Sequence, residues 1–172
     1  SAETDGSGLS ADSPVKTVAK AIEIAGADKD FTVLFLDDYT NDDSKNAAHT
    51  GTVTYSSTDA GSFQWEDFSL TGPVVFKDLR IKSLRKDGFV NTRGHAFSIG
   101  TNVETLEGVQ LPCFHIGVEN TTTPFQSFKA ESGQLGNVYV GSFYVSTGKS
   151  VNAEGAEITV DGTARIGGLM LG

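Results

Sequence analysis

Short segments in which apolar and polar residues alternate recur along this chain, and glycine follows each of them. Four copies stand out: Phe97-Ser-Ile-Gly100, Phe114-His-Ile-Gly117, Val138-Tyr-Val-Gly141 and Ile158-Thr-Val-Asp-Gly162. Alternation over a few residues predicts a β-strand, and glycine supplies the tight turn after it. Repetition of this kind predicts a solenoid of stacked coils. If consecutive copies stack, Ser98 and His115 are outward-facing neighbours on adjacent coils.

One amphipathic helix is predicted ahead of the strands, at about residues 13–26. Ser13 is a favourable N-cap, Pro14 suits the first helical position, and Gly26 follows the last turn. The apolar residues of this segment share one helical face: Val15, Val18, Ala19, Ile22 and Ala25. We expect this helix to cover the open end of the first coil. Residues 31–36 are apolar apart from one threonine, which predicts a strand buried on both faces.

Composition favours a single β-rich domain spanning residues 1–172. The chain has 20 glycines, 38% hydrophobic residues and a net charge of −9. A nucleic-acid partner is therefore not expected, because phosphate backbones are bound by clustered Lys and Arg. The longest apolar run, residues 31–36, is too short to cross a bilayer, so no membrane insertion is predicted.

The single cysteine, Cys113, excludes an intrachain disulfide and is interpreted as a small buried residue.

The opening of the chain carries a family resemblance. A turn, Asp5-Gly-Ser-Gly8, leads through Ser13-Pro-Val-Lys-Thr17 to Ala21-Ile22, and an apolar strand follows. This order resembles the start of pectate-lyase-like, right-handed parallel β-helix proteins. The segment His95-Ala-Phe-Ser-Ile-Gly100-Thr-Asn-Val103 is similar to coils of Gram-positive secreted and cell-surface proteins. The resemblance implies a right-handed parallel β-helix with an N-terminal capping helix, in an extracellular or cell-surface bacterial protein.

The leading functional hypothesis is a non-enzymatic structural or adhesive module, part of a longer protein, that binds glycans or host surfaces. Trp65 and Tyr39 are the predicted ligand contacts, since aromatic faces pack on sugar C–H groups. Residues 63–68 have no purely apolar face, which allows partial exposure of Trp65, and packing in the core is the favoured alternative to ligand contact. The sequence ends on an apolar strand, so the last coil is expected to pack on further chain or to self-associate.

Four carboxylates form the candidate metal site: Asp37, Asp38, Asp42 and Asp43. Calcium binds six to eight oxygen atoms, and an acidic loop can supply several of them. A solvated acidic loop is the alternative interpretation. No other cofactor is predicted.

The alternative function is a fragment of a polysaccharide lyase or glycoside hydrolase of the β-helix type. Glycosidases need carboxyl groups about 5 to 9.5 Å apart, and stacking could bring together Asp78, Asp87 and Glu104. No residue is assigned as catalytic. A flat ice-binding face is a third hypothesis, for which Thr52-Val-Thr54 is the one clear Thr-x-Thr segment.

Overall fold

Parallel β-sheets make up most of the protein. The computed structural model describes residues 6–85, 88–106, 111–119, 127–141, 151–152 and 157–171. The first sheet contains, in spatial order, β1 (Phe31–Phe35), β3 (Val53–Ser57), β6 (Val74–Phe76), β9 (Phe97–Ile99), β13 (Phe128–Ala130) and β16 (Ile158–Val160). The second contains β2 (Asp38–Thr40), β4 (Ser62–Trp65), β7 (Leu79–Ser83) and β10 (Val103–Thr105). The third contains β5 (Phe68–Ser69), β8 (Phe89–Asn91), β11 (Cys113–Ile116), β14 (Gln134–Val140) and β17 (Arg165–Leu171).

The remaining elements are small. Strands β12 (Val118–Glu119) and β15 (Val151–Asn152) form an antiparallel pair. A 3₁₀ turn covers Asp43–Lys45, and one α-helix, α1 (Val18–Ala25), precedes all the strands. The prediction of a mainly β protein with an N-terminal helix is confirmed at this level.

The chain visits the large sheets in a recurring order. From β3 to β11 it passes three times through the first, second and third sheets, and each time it returns to the first sheet one strand further along. The described strands before β3 skip the third sheet, and those after β11 skip the second. We call one such passage a rung. In the first sheet, paired residues lie from 21 positions apart (Val53 with Val74) to 31 positions apart (Phe97 with Phe128). This arrangement is compatible with a parallel β-helix, because parallel neighbours require a crossover of a dozen or more residues.

The repeated segments stack differently from the simplest prediction. Phe114-His-Ile116 pairs residue by residue with Val138-Tyr-Val140 in the third sheet. Phe97-Ser-Ile99 lies in the first sheet, where β13 separates it from Ile158-Thr-Val160. The 17-residue spacing between the first two copies therefore separates two sheets of one rung. The expectation that Ser98 and His115 stack on each other is wrong.

Inward-facing side chains of all three sheets pack into one apolar cluster that is rich in aromatic rings. At its centre Phe63 has no exposed surface, and its ring centroid lies 5.0 Å from Tyr55, 5.1 Å from Phe68 and 5.6 Å from Phe76. Phe76 belongs to the next rung. Burying a side chain of this size contributes about 1.5–3 kcal/mol, so packing between rungs holds these short strands together.

Strand β1 is buried on one face only, which corrects the prediction for residues 31–36. Phe35 is 6% exposed, whereas Leu34 is 51% exposed and Thr32 is also exposed. Phe31 and Val33 pack against the core cluster. Side chains alternate between the two faces of a strand, and the outer face of this sheet meets solvent. The leucine at position 34 hides that alternation in the sequence.

Helix α1 begins later than predicted and ends as predicted. Its N-cap is Thr17, whose hydroxyl accepts a hydrogen bond from the backbone N–H of Lys20, and Gly26 is its C-cap with φ 96°. The carbonyls of Ser13 and Pro14 instead accept backbone hydrogen bonds from the preceding loop. Those carbonyls are therefore not available for a helical turn, and the predicted start at Ser13 is wrong.

Close stacking of the rungs predicts a contrast between two glycines. A Cβ at Gly61 would overlap the backbone carbonyl of Phe35 on the neighbouring rung, whereas at Gly100 the nearest atom would be 3.5 Å away. Gly61→Ala is expected to lower the free energy of unfolding by about 1–3 kcal/mol, as overpacking does. Gly100→Ala should change it by less than about 1 kcal/mol. Urea unfolding followed by circular dichroism measures both, and equal effects would contradict the stacking.

Candidate binding groove

A cavity of about 450 Å³ lies between the segment before and within α1 and the first rung. Residues between Gly8 and Ala21 form one wall, and residues 32–39 form the other. We call this cavity the N-terminal groove. The first wall is held in place because Val18 and Ile22 of α1 are buried against the core. The groove is of the size at which proteins bind small ligands or parts of larger ones.

Two exposed leucines give the N-terminal groove an apolar surface. Leu9 is 81% exposed and Leu34 is 51% exposed, and both line the groove together with Val15. Exposed apolar side chains that line one cleft are typical of ligand-binding or interaction sites. Leu9 stands alone in a polar segment, so no local pattern in the sequence marks it as part of a cleft.

Tyr39 lines the groove and is half-buried. Its ring stacks on Phe35 at 5.2 Å and lies nearly parallel to Phe63 at 6.1 Å, which fixes its position. Its hydroxyl accepts a hydrogen bond of 3.5 Å from the backbone N–H of Val18. Tyr39 therefore connects the two walls. Its role as a ligand contact stays a prediction.

Trp65 is in the core, which agrees with the core-packing interpretation and rules out the partial exposure that its segment allowed. Its side chain has no exposed surface and packs against Phe63 at 5.5 Å and Phe76 at 6.2 Å. The indole N–H has no hydrogen-bond partner in the described structure. Phe63 and Trp65 face inward from β4, the chain then turns a corner, and Phe68 faces inward from β5. A ligand outside the protein has no face of Trp65 to pack on.

The four predicted calcium ligands are divided between two places. Asp37 and Asp38 are exposed in the N-terminal groove, and Asp38 also accepts a 2.7 Å hydrogen bond from the Ser62 hydroxyl. Asp42 caps the 3₁₀ turn, and Asp43 accepts hydrogen bonds from two asparagine side chains and a backbone N–H. Within the described ranges, no group of three His, Cys, Asp or Glu residues is placed to hold a metal ion. The calcium site stays a prediction that this geometry does not strengthen.

The carboxylates considered for catalysis have separate partners. Asp78 accepts a 2.8 Å hydrogen bond from the Asn102 side chain. Glu104 lies 3.6 Å from the Arg80 Nε in a partly exposed ion pair on the outer face of the second sheet. Asp87 lies outside the described residues. Glu104 is therefore paired with an arginine, and Asp78 with an asparagine, rather than with the second carboxylate that a glycosidase site requires.

The outer face of the first sheet does not continue the Thr52-Val-Thr54 pattern. Thr54 lies in register with Thr32 on one side and Val75 on the other. The same row then continues through Ser98 and Lys129. A charged side chain in this row departs from the regular threonine ladder that the ice-binding hypothesis requires.

Two histidines lie at corners that lead into strands β3 and β9 of the first sheet. His49 is buried, and its Nδ1 lies 2.8 Å from the carbonyl oxygen of Gly51. Burial lowers the pKa of His95, and repulsion from His49 and Arg93 lowers it further. These residues are 46 positions apart, so only the stacking of rungs reveals their proximity.

No known protein family, curated protein or solved structure matches this chain. Its class therefore rests on its own sheets, which make it a predominantly β protein built from parallel strands. Among the described residues no helix is long and apolar enough to span a membrane.

The depressed pKa of His95 predicts a dependence of stability on pH. The folded protein binds a proton at His95 less readily than the unfolded chain does, so the free energy of unfolding falls as the pH drops below 6.5, the ordinary value, and through the folded pKa. His95→Gln should flatten this part of the pH profile. Urea unfolding of both proteins at a series of pH values measures the difference, and identical slopes would show that His95 does not contribute.

Proposed function

We propose that this chain is a right-handed parallel β-helix module of a bacterial secreted or cell-surface protein, with a structural or adhesive and non-enzymatic role. The resemblance of the opening residues supports the handedness, and the resemblance of residues 95–103 to coils of surface proteins supports the compartment and the role. The repeated passage through the parallel sheets and the helix at the first rung support the architecture. A stack of this kind is a stiff support on which turns and grooves are displayed.

The N-terminal groove is the observation that carries a binding role, and we propose a glycan as its ligand. A sugar has apolar C–H faces and hydroxyl groups around its edge. Leu9 and Leu34 supply apolar surface, while Asp37 and Asp38 supply strong hydrogen-bond acceptors for hydroxyl groups. Exposed carboxylates on a chain of net charge −9 repel acidic sugars. Neutral or amino sugars are therefore the favoured class.

A carbohydrate-active enzyme remains the second candidate, favoured by one observation. Arg80 and Glu104 lie side by side on the outer face of the second sheet, and the Arg80 side chain is 34% exposed. A polysaccharide lyase of this fold needs a basic side chain that faces its substrate. Release of shorter or unsaturated sugars from a polysaccharide incubated with the protein would favour this candidate over the binding module.

Binding of a glycan in the groove can be tested directly. The protein is first screened on an array of neutral, amino and acidic glycans, and the dissociation constant of the best ligand is measured by titration calorimetry. Asp37→Asn should weaken binding about three- to tenfold, the effect of losing one charge-assisted hydrogen bond. Asp59→Asn, which changes an exposed carboxylate outside the groove, is the matched control and should leave the constant unchanged.

Two results would contradict this proposal. One is the absence of binding to any neutral or amino glycan. The other is binding that Asp37→Asn and Tyr39→Phe leave unchanged, which would move the ligand away from the groove. Circular dichroism of each variant checks that the fold is retained.

A further inference from the structure

Strand β1 turns one of its backbone edges toward the N-terminal groove. It is the outermost strand of the first sheet, with β3 as its neighbour. On the side of β3, the N–H of Phe31 donates to the carbonyl of Thr52, and the carbonyl of Phe35 accepts from the N–H of Thr58. Alternate residues of a strand direct their backbone groups to opposite edges. The N–H and C=O of Leu34 therefore point away from β3, into the groove that this residue lines.

The backbone of Leu34 offers a ligand one donor and one acceptor, side by side. In the part of the chain that the structure describes, neither group is hydrogen-bonded. A ligand that satisfies both groups must accept one hydrogen bond and donate another. A protonated amine has no acceptor. At this position it would cover the N–H of Leu34 and leave it unpaired, which lowers affinity.

Apolar side chains line the groove together with this strand edge. Leu9 is 81% exposed and Leu34 is 51% exposed, and Val15 lies in the same lining. A hydroxyl group would satisfy the backbone of Leu34 but would bury none of this apolar surface. An acetamido group has a carbonyl oxygen that accepts a hydrogen bond and a methyl group that packs on leucine. It is uncharged, so Asp37 and Asp38 do not repel it.

We propose that the glycan bound in the N-terminal groove contains N-acetylated amino sugars. The acetamido carbonyl accepts a hydrogen bond from the N–H of Leu34, and a neighbouring ring hydroxyl donates to the C=O of the same residue. The acetamido methyl packs on Leu9 and Leu34, while other hydroxyls donate to Asp37 and Asp38. This inference rests on the proposed glycan-binding function and specifies the class of sugar.

Titration calorimetry with three tetrasaccharides of identical linkage tests the proposal. They are built from N-acetylglucosamine, glucose and glucosamine, and differ only in an acetamido, hydroxyl or amino group on each ring. The acetylated compound should bind about tenfold more tightly than either of the others. Equal or tighter binding of another compound overturns this inference but leaves glycan binding intact. So does binding of none of the three when the array shows other neutral glycans that bind. No binding to any glycan overturns both proposals.

Variants at Leu34 test the contacts, with the ratio of affinities for the acetylated and glucose tetrasaccharides as the readout. Leu34→Ala keeps the backbone groups but loses apolar contact, and should reduce the ratio about three- to fivefold. Leu34→Pro removes the N–H at an edge position that tolerates proline, and should abolish the preference. Leu84→Ala is the matched control, since Leu84 is 39% exposed outside the groove, and should leave the ratio unchanged.

The folds of these variants are compared by circular dichroism, and Leu9→Ala repeats the test if Leu34→Pro does not fold. A ratio that neither Leu34→Ala nor Leu9→Ala changes overturns the proposal. Tighter binding of an uncharged, blocked tripeptide than of the acetylated tetrasaccharide also overturns it, because the edge of β1 would then be a site for a peptide strand.

Discussion

A parallel strand of three to five residues cannot bury its own inward side chains, and the rest of this structure depends on that constraint. Each rung needs a neighbour in register on both sides. Phe63 shows the solution, because its ring touches rings of its own rung and also Phe35 and Phe76 from the rungs on either side. Glycines such as Gly61, where the backbones of two rungs nearly touch, permit this spacing. The stack is thus stabilised by packing between rungs more than within them.

The same constraint explains where the chain offers binding surfaces. Interior rungs bury each other's apolar side chains, so the most exposed leucines lie at the first and last described rungs. At the first rung, α1 covers the core but leaves the N-terminal groove between its leading segment and residues 32–39. At the last described rung, Leu169 and Leu171 remain exposed. The N-terminal groove, which we propose as a ligand site, therefore lies at an end of the stack.

Local sequence patterns predicted most of the strands and the end of the helix at Gly26, but not its start and not β2, which lies in the segment interpreted as an acidic loop. They did not predict which strands pair with each other. In the sequence, a strand and a turn look the same whether the next strand belongs to the next sheet of one rung or to the same sheet of the following rung. For this reason the 17-residue spacing of Phe97 and Phe114 suggested stacking that does not occur. The partial exposure suggested for Trp65 has a similar origin, since a corner after β4 breaks the alternation of residues 63–68. The proximity of His49 and His95, and the groove around Tyr39, depend on contacts across rungs that no local pattern contains.

The register of the rungs is tested most directly by disulfide formation between introduced cysteines, with Cys113 replaced by alanine. Ser98 and Lys129 are paired neighbours in the first sheet, whereas Ser98 and His115 lie in different sheets. A disulfide requires Cα atoms within about 7 Å, which adjacent strands in register allow. Under mild oxidation, the Ser98→Cys/Lys129→Cys variant should crosslink and the Ser98→Cys/His115→Cys variant should not, as read by mass spectrometry. Crosslinking of the second pair and not the first would contradict the account.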